Sequence, residues 1–567
     1  MLEFTSPTYH LAFLPDRPFV RVHTQGDQPI AELFAPSSVN STIAKDDCTW
    51  LGEWTQVSVG DDCTCFERVI GSSVWDHKII RFQCFPHRFS YEIEVSGSAD
   101  IQEILYFGGY CSAIPRWGSG FFPSAQHFIQ GFNPEPNVEE EIYFTPAESS
   151  KIDITGVPLA GRGDWFFTPP PFCFAFQYRS VHDSGQTWIS MGVEAAAGQN
   201  QFEAFQYNGT RGAFWLSLPY EGHLSVTGAK QLPAIGFDFA DDPYQALQAH
   251  VDSLTRQNCL IPPSAEKPHW WRSPIFCGWG AQCHLASQQK GRAPDFACQP
   301  HYESFLSALE AHELNPGIVV IDDKWQAAYG TNHADPEKWP DLPGFIAGQH
   351  QKGRKVLLWL KAWDAEGLPP EECIRNAAGL PIAFDPTNPS FRQRLIESIE
   401  HMLSPQGYNA DGFKLDFTAR IPSGPGLTQY GNVWGLELMR EYLSLLHTTA
   451  HTVKSDALLI AHTPHPYLAD VIDMVRLNDI NTAQPILPAM RHRARIAKIA
   501  CPQALIDTDN WPMPNKAAWR EYTAIQPELG IPALYFATHI DSTGEAMTAE
   551  DYDLIRSVWE KTRTNES

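Results

Sequence analysis

The sequence lacks the features that mark several common classes of protein. None of its apolar runs approaches the roughly 20 residues that a membrane-spanning helix needs. The N-terminal MLEFTSPTYHLAFLPDRPF has neither a basic stretch nor an uninterrupted apolar core, so no signal peptide is expected. The 12 cysteines show no CxxC…CxxC spacing that would indicate zinc, and their scatter is typical of reduced thiols in a cytoplasmic protein. No GxGxxG follows a strand-like segment, and nothing points to a nicotinamide, flavin or phosphate cofactor.

Positive charge is also scarce. The chain has 41 Lys+Arg against 66 Asp+Glu, and the net charge of −25 is spread along it rather than gathered in a tail. Because such a field repels phosphate backbones and anionic lipid, neither nucleic acid nor a membrane is an expected partner. The sequence leaves the oligomeric state open, and a homo-oligomer is compatible with it.

Apolar and aromatic residues, by contrast, are abundant. A hydrophobic fraction of 43% and an aromatic fraction of 12% exclude wholesale disorder, and 567 residues predict two or three domains. The 18 Trp suit flat platforms on which sugar rings stack, and they equally suit the core of a large β-rich domain.

The pattern of the chain changes near residue 240. Residues 1–240 contain short segments rich in β-branched and aromatic residues, separated by Gly, Pro, Asn and Asp turns, which predicts a β-sandwich domain. Residues 241–270 predict a helical linker that ends in IPPSAEKP. In residues 271–567 eight apolar strand segments alternate with helical ones, which predicts a (β/α)8 TIM barrel with no β-domain after it. A doubly wound open sheet is the alternative, and the missing GxGxxG argues against it.

Polar residues follow the predicted barrel strands at the ends where TIM barrels place their active sites. Any one of them could cap a helix, form a salt bridge or belong to the core. Their presence at six strand ends predicts a site, and carboxylates without metal-ligand spacing suit glycoside hydrolysis. The candidates are Asp322, Asp323, Lys324, Trp325, Trp359, Lys361, Lys414, Asp416, His462, Arg476, Asp479, Asp507 and Asp509.

Charge placement indicates roles within this set. Lys414 precedes Asp416 by two residues, so both side chains point to the same side of a strand, and the ammonium is expected to keep Asp416 ionised. Arg476 is expected to orient the carboxylate of Asp479. Asp322 and Asp323 could accept hydrogen bonds from vicinal sugar hydroxyls.

Several segments then resemble one family in the right order. GIVVIDDKW (317–325) resembles the DDGW strand of the retaining α-galactosidases and their clan, which includes raffinose-synthase-like proteins. FDPTNP (384–389) and GYNADGFKLDF (407–417) look like that family's LDPTHP…GYDYFKLDF segment. FCGWGAQC, VIDMVRLND and LIDTDNW are similar to its strands 1, 6 and 7, and the resemblance covers about residues 270–540. A β-sandwich before the barrel is also that family's arrangement.

The resemblance implies roles for individual residues. Asp416 would be the nucleophile and Asp479 the general acid/base, with no metal or organic cofactor. Asp322 and Asp323 would hold the C4 and C6 side of the sugar. The other substrate-binding residues would be Lys414 on the C2–C3 side, Arg476 beside the acid, Trp359 with Trp279 as an apolar floor, and Trp325, Lys361 and His462.

The sequence departs from the family in four places. Lys324 replaces the Gly of DDGW, and HTPHP (462–466) replaces a loop of small residues and cysteine that faces the sugar's C2 substituent. The interval from Arg476 to Asp479 is one residue shorter, and no C-terminal β-domain is predicted. The HxxH spacing of His462 and His465 could indicate metal ligands, although sugar contact or packing is favoured in so proline-rich a loop.

The sequence therefore predicts a retaining α-glycoside hydrolase, α-galactosidase-like, that acts by double displacement on a terminal α-linked sugar of an oligosaccharide or glycoside. A transglycosylase using the same site and a non-catalytic carbohydrate-binding protein are the alternatives. The aromatic residues Trp117, Phe121 and Phe122, in a long loop of the predicted sandwich, are hypothesised to help wall the site of this chain or of a neighbouring copy.

Overall fold

The computed structural model describes residues 2–60, 62–114, 116–123, 130–134, 142–153, 171–178, 187–263, 267–477, 479 and 482–564. Within these residues an antiparallel β-sandwich precedes a barrel of parallel strands surrounded by helices. The predicted fold class is confirmed.

The sandwich is built from twenty strands in the described residues. They are β1 Leu2–Thr5, β2 Tyr9–Phe13, β3 Phe19–Thr24, β4 Pro29–Phe34, β5 Ser38–Ser41, β6 Cys48–Leu51, β7 Thr55–Val59, β8 Thr64–Ser72, β9 His77–Cys84, β10 Arg88–Tyr106, β11 Gly108–Cys111, β12 Arg116–Phe121, β13 Gly131–Phe132, β14 Tyr143–Phe144, β15 Ser150–Asp153, β16 Cys173–Gln177, β17 Trp188–Glu194, β18 Ala204–Thr210, β19 Ala213–Gln231 and β20 Ala234–Ala240.

Side chains alternate between core and solvent along these strands, as the period of a half-buried strand requires. In β9 every second residue is buried, and these residues meet an aromatic core from the facing strands. Phe89 stacks on Phe237 with ring centroids 4.3 Å apart. Phe122 belongs to this core as well, since it stacks on Phe214 at 4.6 Å, and Trp117 lies beside Trp215. The hypothesis that Phe122 walls the site is therefore wrong.

The barrel contains eight parallel strands among the described residues, and helices α2 to α9 accompany them. The strands are β21 Ile275–Cys277, β22 Ile318–Ile321, β23 Lys355–Lys361, β26 Gly412–Asp416, β27 Leu458–Ala461, β28 Met474–Arg476, β29 Leu505–Asp507 and β30 Ala533–Leu534; small hairpins are formed by β24 Cys373–Arg375 with β25 Pro381–Phe384 and by β31 His539–Ile540 with β32 Glu545–Ala546. The helices are α1 Pro243–Arg256 in the linker and then α2 Trp279–Gln288, α3 Gln299–Ala311, α4 Leu342–Gln351, α5 Pro389–Leu403, α6 Gly435–Val453, α7 Ile486–Ala500, α8 Lys516–Leu529 and α9 Ala549–Thr564.

Parallel pairing joins the barrel strands into a ring. β21 pairs with both β22 and β30, and a single bridge between Asp507 and Ile531 connects the β29 and β30 ends. The register aligns Lys361 with Asp416 across β23 and β26, and Arg476 with Asp507 across β28 and β29. Because all strands run in the same direction, their carboxyl ends open into one mouth.

The linker helix α1 packs against the sandwich strands β16, β17 and β20 and also meets α7 of the barrel. Asp242 caps the helix by accepting hydrogen bonds from the amides of Tyr244 and Gln245. The Tyr244 hydroxyl lies 2.8 Å from Nδ1 of His492 in α7. The linker therefore fixes the sandwich to the barrel rather than separating them.

The sandwich also packs directly on the loops that follow β26 and β27. Glu437 in α6 accepts hydrogen bonds from the amides of Gly198 (2.8 Å) and Asn200 (3.0 Å) through Oε1, and from the Tyr467 hydroxyl (2.9 Å) through Oε2. His223 stacks on Trp434 with ring centroids 3.7 Å apart. These contacts make the sandwich a support for two loops at the barrel mouth.

The 12 cysteines are all unpaired, nine of them buried and three partly buried. The cytoplasmic location inferred from their spacing stays a prediction. Among the described helices, none combines the length and apolarity that a membrane crossing requires.

We expect the barrel not to fold without the sandwich. A protein that begins at Pro268 would leave the Glu437 carboxylate and the Trp434 ring without their partners, and it should be insoluble or aggregated when expressed. Size-exclusion chromatography and circular dichroism of the truncated and full-length chains test this. A soluble, monodisperse barrel with full helical content would contradict the expectation.

Candidate active site

The predicted site residues lie together at the carboxyl ends of the barrel strands. Asp322, Asp323 and Trp325 follow β22; Trp359 and Lys361 belong to β23; Lys414 and Asp416 belong to β26; His462 follows β27; Arg476 ends β28 with Asp479 three residues beyond; and Trp279 is the first residue of α2. Side-chain contacts divide them into a central ion cluster, a neighbouring ion pair and a surrounding set of aromatic residues.

The guanidinium of Arg476 is the centre of the ion cluster. It is 2% exposed, and its Nη2 lies 3.1 Å from Oδ1 of Asp416. Its Nη1 lies 3.1 Å from Oδ1 of Asp479 and 2.6 Å from Oδ2 of Asp509. Because a guanidinium is planar and permanently charged, it can hold several carboxylates in fixed directions at once. One cation thus brings both predicted catalytic carboxylates to a common point.

Asp416 is held as an ionised carboxylate. Its Oδ2 accepts a hydrogen bond from the Trp359 indole (3.1 Å), and its Oδ1 accepts one from the Phe417 amide (3.0 Å). Nε2 of His462 lies 3.2 Å from the same Oδ1. Burial alone would raise the pKa of Asp416, but the charge of Arg476 and the hydrogen bond from His462 outweigh it and hold the pKa well below its usual value.

Asp479 has the opposite protonation behaviour. Burial, together with the charges of Asp509 and Asp416, outweighs Arg476 and raises the pKa of Asp479 to about 6. Its side chain is 30% exposed, and its backbone carbonyl accepts a 2.9 Å hydrogen bond from Arg493. The neighbouring Asp509, whose pKa is also raised to about 6 by burial, has a fully buried side chain. Asp479 is therefore the one of the pair with access to the mouth.

Lys414 forms an ion pair with Asp322 rather than with Asp416. Its Nζ lies 2.6 Å from Oδ2 of Asp322 and 3.4 Å from the Cys277 sulfur, and the Cys277 thiol donates to the same Oδ2 at 2.9 Å. Lys414 contributes to the lowered pKa of Asp416, as expected from their spacing, but Arg476 supplies the direct contact and the larger effect. Asp322 raises the pKa of Lys414 against the effect of burial, so this ammonium stays charged.

Asp323 lies on the other side of Asp322, near the surface of the mouth. The Tyr329 hydroxyl donates to its Oδ1 at 2.7 Å, and burial raises the pKa of Asp323 to about 6. Lys324, which replaces a glycine of the resembled family, has φ of 71° and forms a salt bridge with Glu366. Its ammonium lies 3.8 Å from the centre of the Tyr329 ring. The lysine thus holds the tyrosine that hydrogen-bonds Asp323.

Lys361 lies beside this group rather than in the ion cluster. Its Nζ is 2.7 Å from Asp364 and 4.2 Å from the centre of the Tyr329 ring. It lines a side cavity of about 370 Å³ together with Phe417 and Arg420. A ligand that contacts Lys361 would therefore extend into this side cavity.

The tryptophans of the site have different positions. Trp325 is completely buried, and its indole donates to the Trp359 carbonyl at 2.7 Å. It therefore supports Trp359 and does not make the substrate contact predicted for it. Trp359 is 1% exposed and reaches Asp416 only through its indole nitrogen. Trp279 is partly exposed and meets Trp511 edge to face at 5.8 Å. Trp279 and Trp511 thus form a partly exposed aromatic pair that follows β21 and β29.

The two histidines of HTPHP face different neighbours. His462 is buried against Asp416, and burial lowers its pKa to about 4, so the imidazole is neutral near pH 7. His465 accepts a hydrogen bond from the Tyr467 amide (3.0 Å) and packs on Phe172 of the sandwich, with ring centroids 4.9 Å apart. Neither belongs to a group of three metal-ligating side chains in the described part of the chain. The packing and site-contact interpretation of this loop is favoured over the metal interpretation.

Sequence reasoning missed three contributors to the site: Tyr329, Cys277 and Tyr535. Tyr535 follows β30, and the Lys414 ammonium lies 4.9 Å from the centre of its ring. Cys277 lies within the FCGWGAQC segment but pairs with Asp322, 45 residues later, and Tyr329 hydrogen-bonds Asp323 from a loop whose course the sequence does not predict. For Cys277 and Tyr535, which lie at the ends of β21 and β30, the signal in the sequence is that position.

Comparison with solved structures places this geometry in a known fold. A family GH31 sulfoquinovosidase from E. rectale matches with a TM-score of 0.59 and 12% identity, over 99% of this chain and 82% of that chain. The GH36 α-galactosidase AgaA from Geobacillus stearothermophilus matches with a TM-score of 0.56 and 10% identity, over 99% and 86%. An α-galactosidase from Lactobacillus brevis matches with a TM-score of 0.53 and 10% identity, over 100% and 83%.

This chain has the fold of the α-galactosidase-like glycoside hydrolases. No protein-family model and no curated protein matches its sequence. At 10–12% identity the likeness is one of fold, and it agrees with the resemblance predicted from the strand-end motifs. In this fold, the mouth of the barrel holds the carboxylates of Asp416 and Asp479. Both contact the guanidinium of Arg476, but their pKa values are shifted in opposite directions.

Proposed function

We propose that this protein is a retaining α-glycoside hydrolase, α-galactosidase-like, that cleaves a terminal α-linked sugar from an oligosaccharide or glycoside. The observation that carries the proposal is the divergence of two carboxylates that share Arg476. Asp416 has a lowered pKa and Asp479 a pKa of about 6, which are the states that a nucleophile and a general acid need near neutral pH.

In the first step Asp416 attacks the anomeric carbon while Asp479 gives its proton to the glycosidic oxygen, and the bond to the leaving group breaks. In the second step Asp479, now ionised, removes a proton from water. The resulting hydroxide displaces the Asp416 carboxylate and restores both residues. Two inversions leave the product with the configuration of the substrate. The reaction needs neither a metal nor an organic cofactor.

The surrounding residues would bind the sugar that loses its linkage. Asp323 is partly exposed and can accept hydrogen bonds from hydroxyls on the C4 and C6 side, with Asp322 behind it. The charged Lys414 would direct its remaining hydrogen atoms toward the C2–C3 side. Trp279 would pack against the apolar face of the ring. The structural neighbours include a sulfoquinovosidase and α-galactosidases, which are named for different sugars. The identity of the hexose is therefore determined by comparing kcat/KM across aryl α-glycosides.

The non-catalytic alternative, a carbohydrate-binding protein, has less support. Sugar binding alone would not require a buried guanidinium beside one carboxylate that stays ionised and a second carboxylate whose pKa is raised. Transglycosylation on the same covalent intermediate stays an alternative, since a sugar hydroxyl in place of water would use the same residues.

Asp416→Asn should abolish turnover of aryl α-glycosides, because an amide cannot attack the anomeric carbon. The expected loss in kcat is about 10⁴-fold or more, the scale seen when a key catalytic residue is removed. Asp456→Asn is the matched control: this carboxylate accepts from the Trp270 indole at the other end of the barrel, and activity should stay within a few-fold. A loss of only tenfold in Asp416→Asn would rule out the nucleophile assignment.

The pH profile should follow the protonation of Asp479. Because its pKa is about 6 and the protonated form is the acid, kcat/KM for a substrate with a poor leaving group should fall roughly tenfold per unit above pH 6. Asp416 stays ionised well below that pH, so no fall is expected just below 6. Steady-state kinetics of the wild type measure this decline.

Two variants identify the residue behind the decline. In Asp479→Asn the decline should vanish, while a dinitrophenyl glycoside, which needs no acid, is still cleaved. In Asp509→Asn, the buried neighbour, the decline should persist. The reverse pattern would transfer the role of acid to Asp509.

His462 should set the preference of the site for one sugar over another. It stands where the resembled family faces the C2 substituent, and His462→Ala would remove a hydrogen-bonding group from that position. We expect kcat/KM to change unequally across α-galactosides, other α-hexosides and 2-substituted sugars. His465→Ala, whose ring packs on Phe172, should leave the preference unchanged. An equal loss on every substrate in His462→Ala would reduce its role to orienting Asp416.

A further inference from the structure

A second group of side chains with ligand-like geometry lies at the opposite end of the barrel from the mouth. His447 and His451 are one helical turn apart on α6, and Asp473 immediately precedes β28. One ligand atom from each of the three residues lies within 4.8 Å of the others. The spacing of four residues places both imidazoles on the same face of the helix, toward the carboxylate.

The two ring nitrogens of His451 have different partners. Its Nδ1 lies 3.1 Å from the Ser455 carbonyl, which can only accept, so Nδ1 carries the hydrogen. Nε2 of the same ring lies 3.2 Å from Oδ2 of Asp473. A proton can bridge these two atoms as a hydrogen bond, and a metal ion that binds here would displace that proton. A hydrogen bond from the outer nitrogen to a carbonyl is also the usual arrangement for a metal-ligating histidine.

The distances within the group also fit a metal ion. Nε2 of His447 lies 3.5 Å from Oδ1 of Asp473, longer than a normal hydrogen bond. Ligands about 2.0–2.1 Å from a tetrahedral zinc ion are about 3.3 Å from one another. By contrast, His23 and Asp27 of the sandwich are 2.6 Å apart, which is a direct hydrogen bond with no room for an ion.

The carboxylate of Asp473 is fixed in place while the imidazoles remain accessible. Its Oδ2 accepts a hydrogen bond from the Leu459 amide at 3.0 Å, and its side chain is 7% exposed. The side chains of His447 and His451 are 22% and 23% exposed, so water can complete the coordination. The Lys267 ammonium, 5.4 Å from the centre of the Trp271 ring, also interacts with the charge of Asp473. A bound metal ion and this ammonium would both be attracted to the same carboxylate.

We propose that His447, His451 and Asp473 bind one divalent transition-metal ion of the zinc type. Two imidazoles and one carboxylate suit Zn²⁺, Co²⁺ or Ni²⁺, whereas Ca²⁺ and Mg²⁺ prefer oxygen ligands alone. The site is structural, because it joins α6 to the start of β28 and lies away from the sugar-binding mouth. Since β28 ends at Arg476, the metal holds the strand that carries the central guanidinium.

The test uses the full-length protein, stripped with a chelator and then titrated with Zn²⁺ in competition with a chromophoric chelator. We expect one equivalent to bind with a dissociation constant of about 1 µM or tighter, and the Tm to rise by at least about 2 °C. Co²⁺ in place of Zn²⁺ should give the visible absorption of a site with nitrogen and oxygen ligands. Absence of binding tighter than about 10 µM would overturn the proposal.

Variants assign the ion to these residues. His451→Ala should abolish binding, and His447→Ala should weaken it at least 100-fold. His23→Ala is the matched control from the other histidine–aspartate group and should retain the full equivalent. Unchanged binding in both His447→Ala and His451→Ala, or its loss in His23→Ala, would place the ion elsewhere and overturn the proposal.

Discussion

The candidate active site depends on the contact of one buried guanidinium with three carboxylates. Removing a charge from water is costly, and a buried cation persists only where anions surround it with good geometry. Arg476 meets this condition through Asp416, Asp479 and Asp509, and each carboxylate experiences the same positive charge from a different environment. Asp416 receives additional donors and stays ionised, whereas Asp479 receives fewer and is easily protonated. One cation can therefore serve two carboxylates that need opposite protonation states, because their other neighbours differ.

Much of the fold and the main site residues could be predicted from the sequence because both follow from local patterns. Eight apolar segments with intervening helices specify a barrel, and a barrel brings the residues that end its strands to one mouth. Asp416 and Arg476 are the last residues of β26 and β28, and Asp479 lies three residues further on. Their position at the mouth therefore does not depend on predicting the strand ends to the exact residue. Trp325 shows where this reasoning fails: it belongs to the same segment after β22 as the two aspartates, but its side chain is completely buried.

The remaining features depend on contacts between distant segments, which strand periodicity does not encode. The alternation of side chains along β26 predicts the side of the strand that Lys414 faces, but its ion-pair partner is Asp322, which follows a strand that is not a direct neighbour of β26. Glu437 reads as an ordinary residue in the first turn of a helix, and its bonds to the sandwich amides are visible only in three dimensions. The HxxxH spacing of His447 and His451 was present in the sequence, yet its carboxylate partner lies more than twenty residues later.

The reactivity of the buried Cys277 thiol depends on whether the strand ends of the barrel are packed. Its thiol donates to Asp322, has no exposed surface, and has a pKa raised by burial well above that of a free cysteine. Alkylating reagents attack only an accessible thiolate, so this sulfur is protected for as long as the strand ends stay packed. Its rate of modification then measures how often the mouth opens, at the position where Asp322 and Lys414 meet. A ligand that closes the mouth would slow that labelling without touching the cysteine.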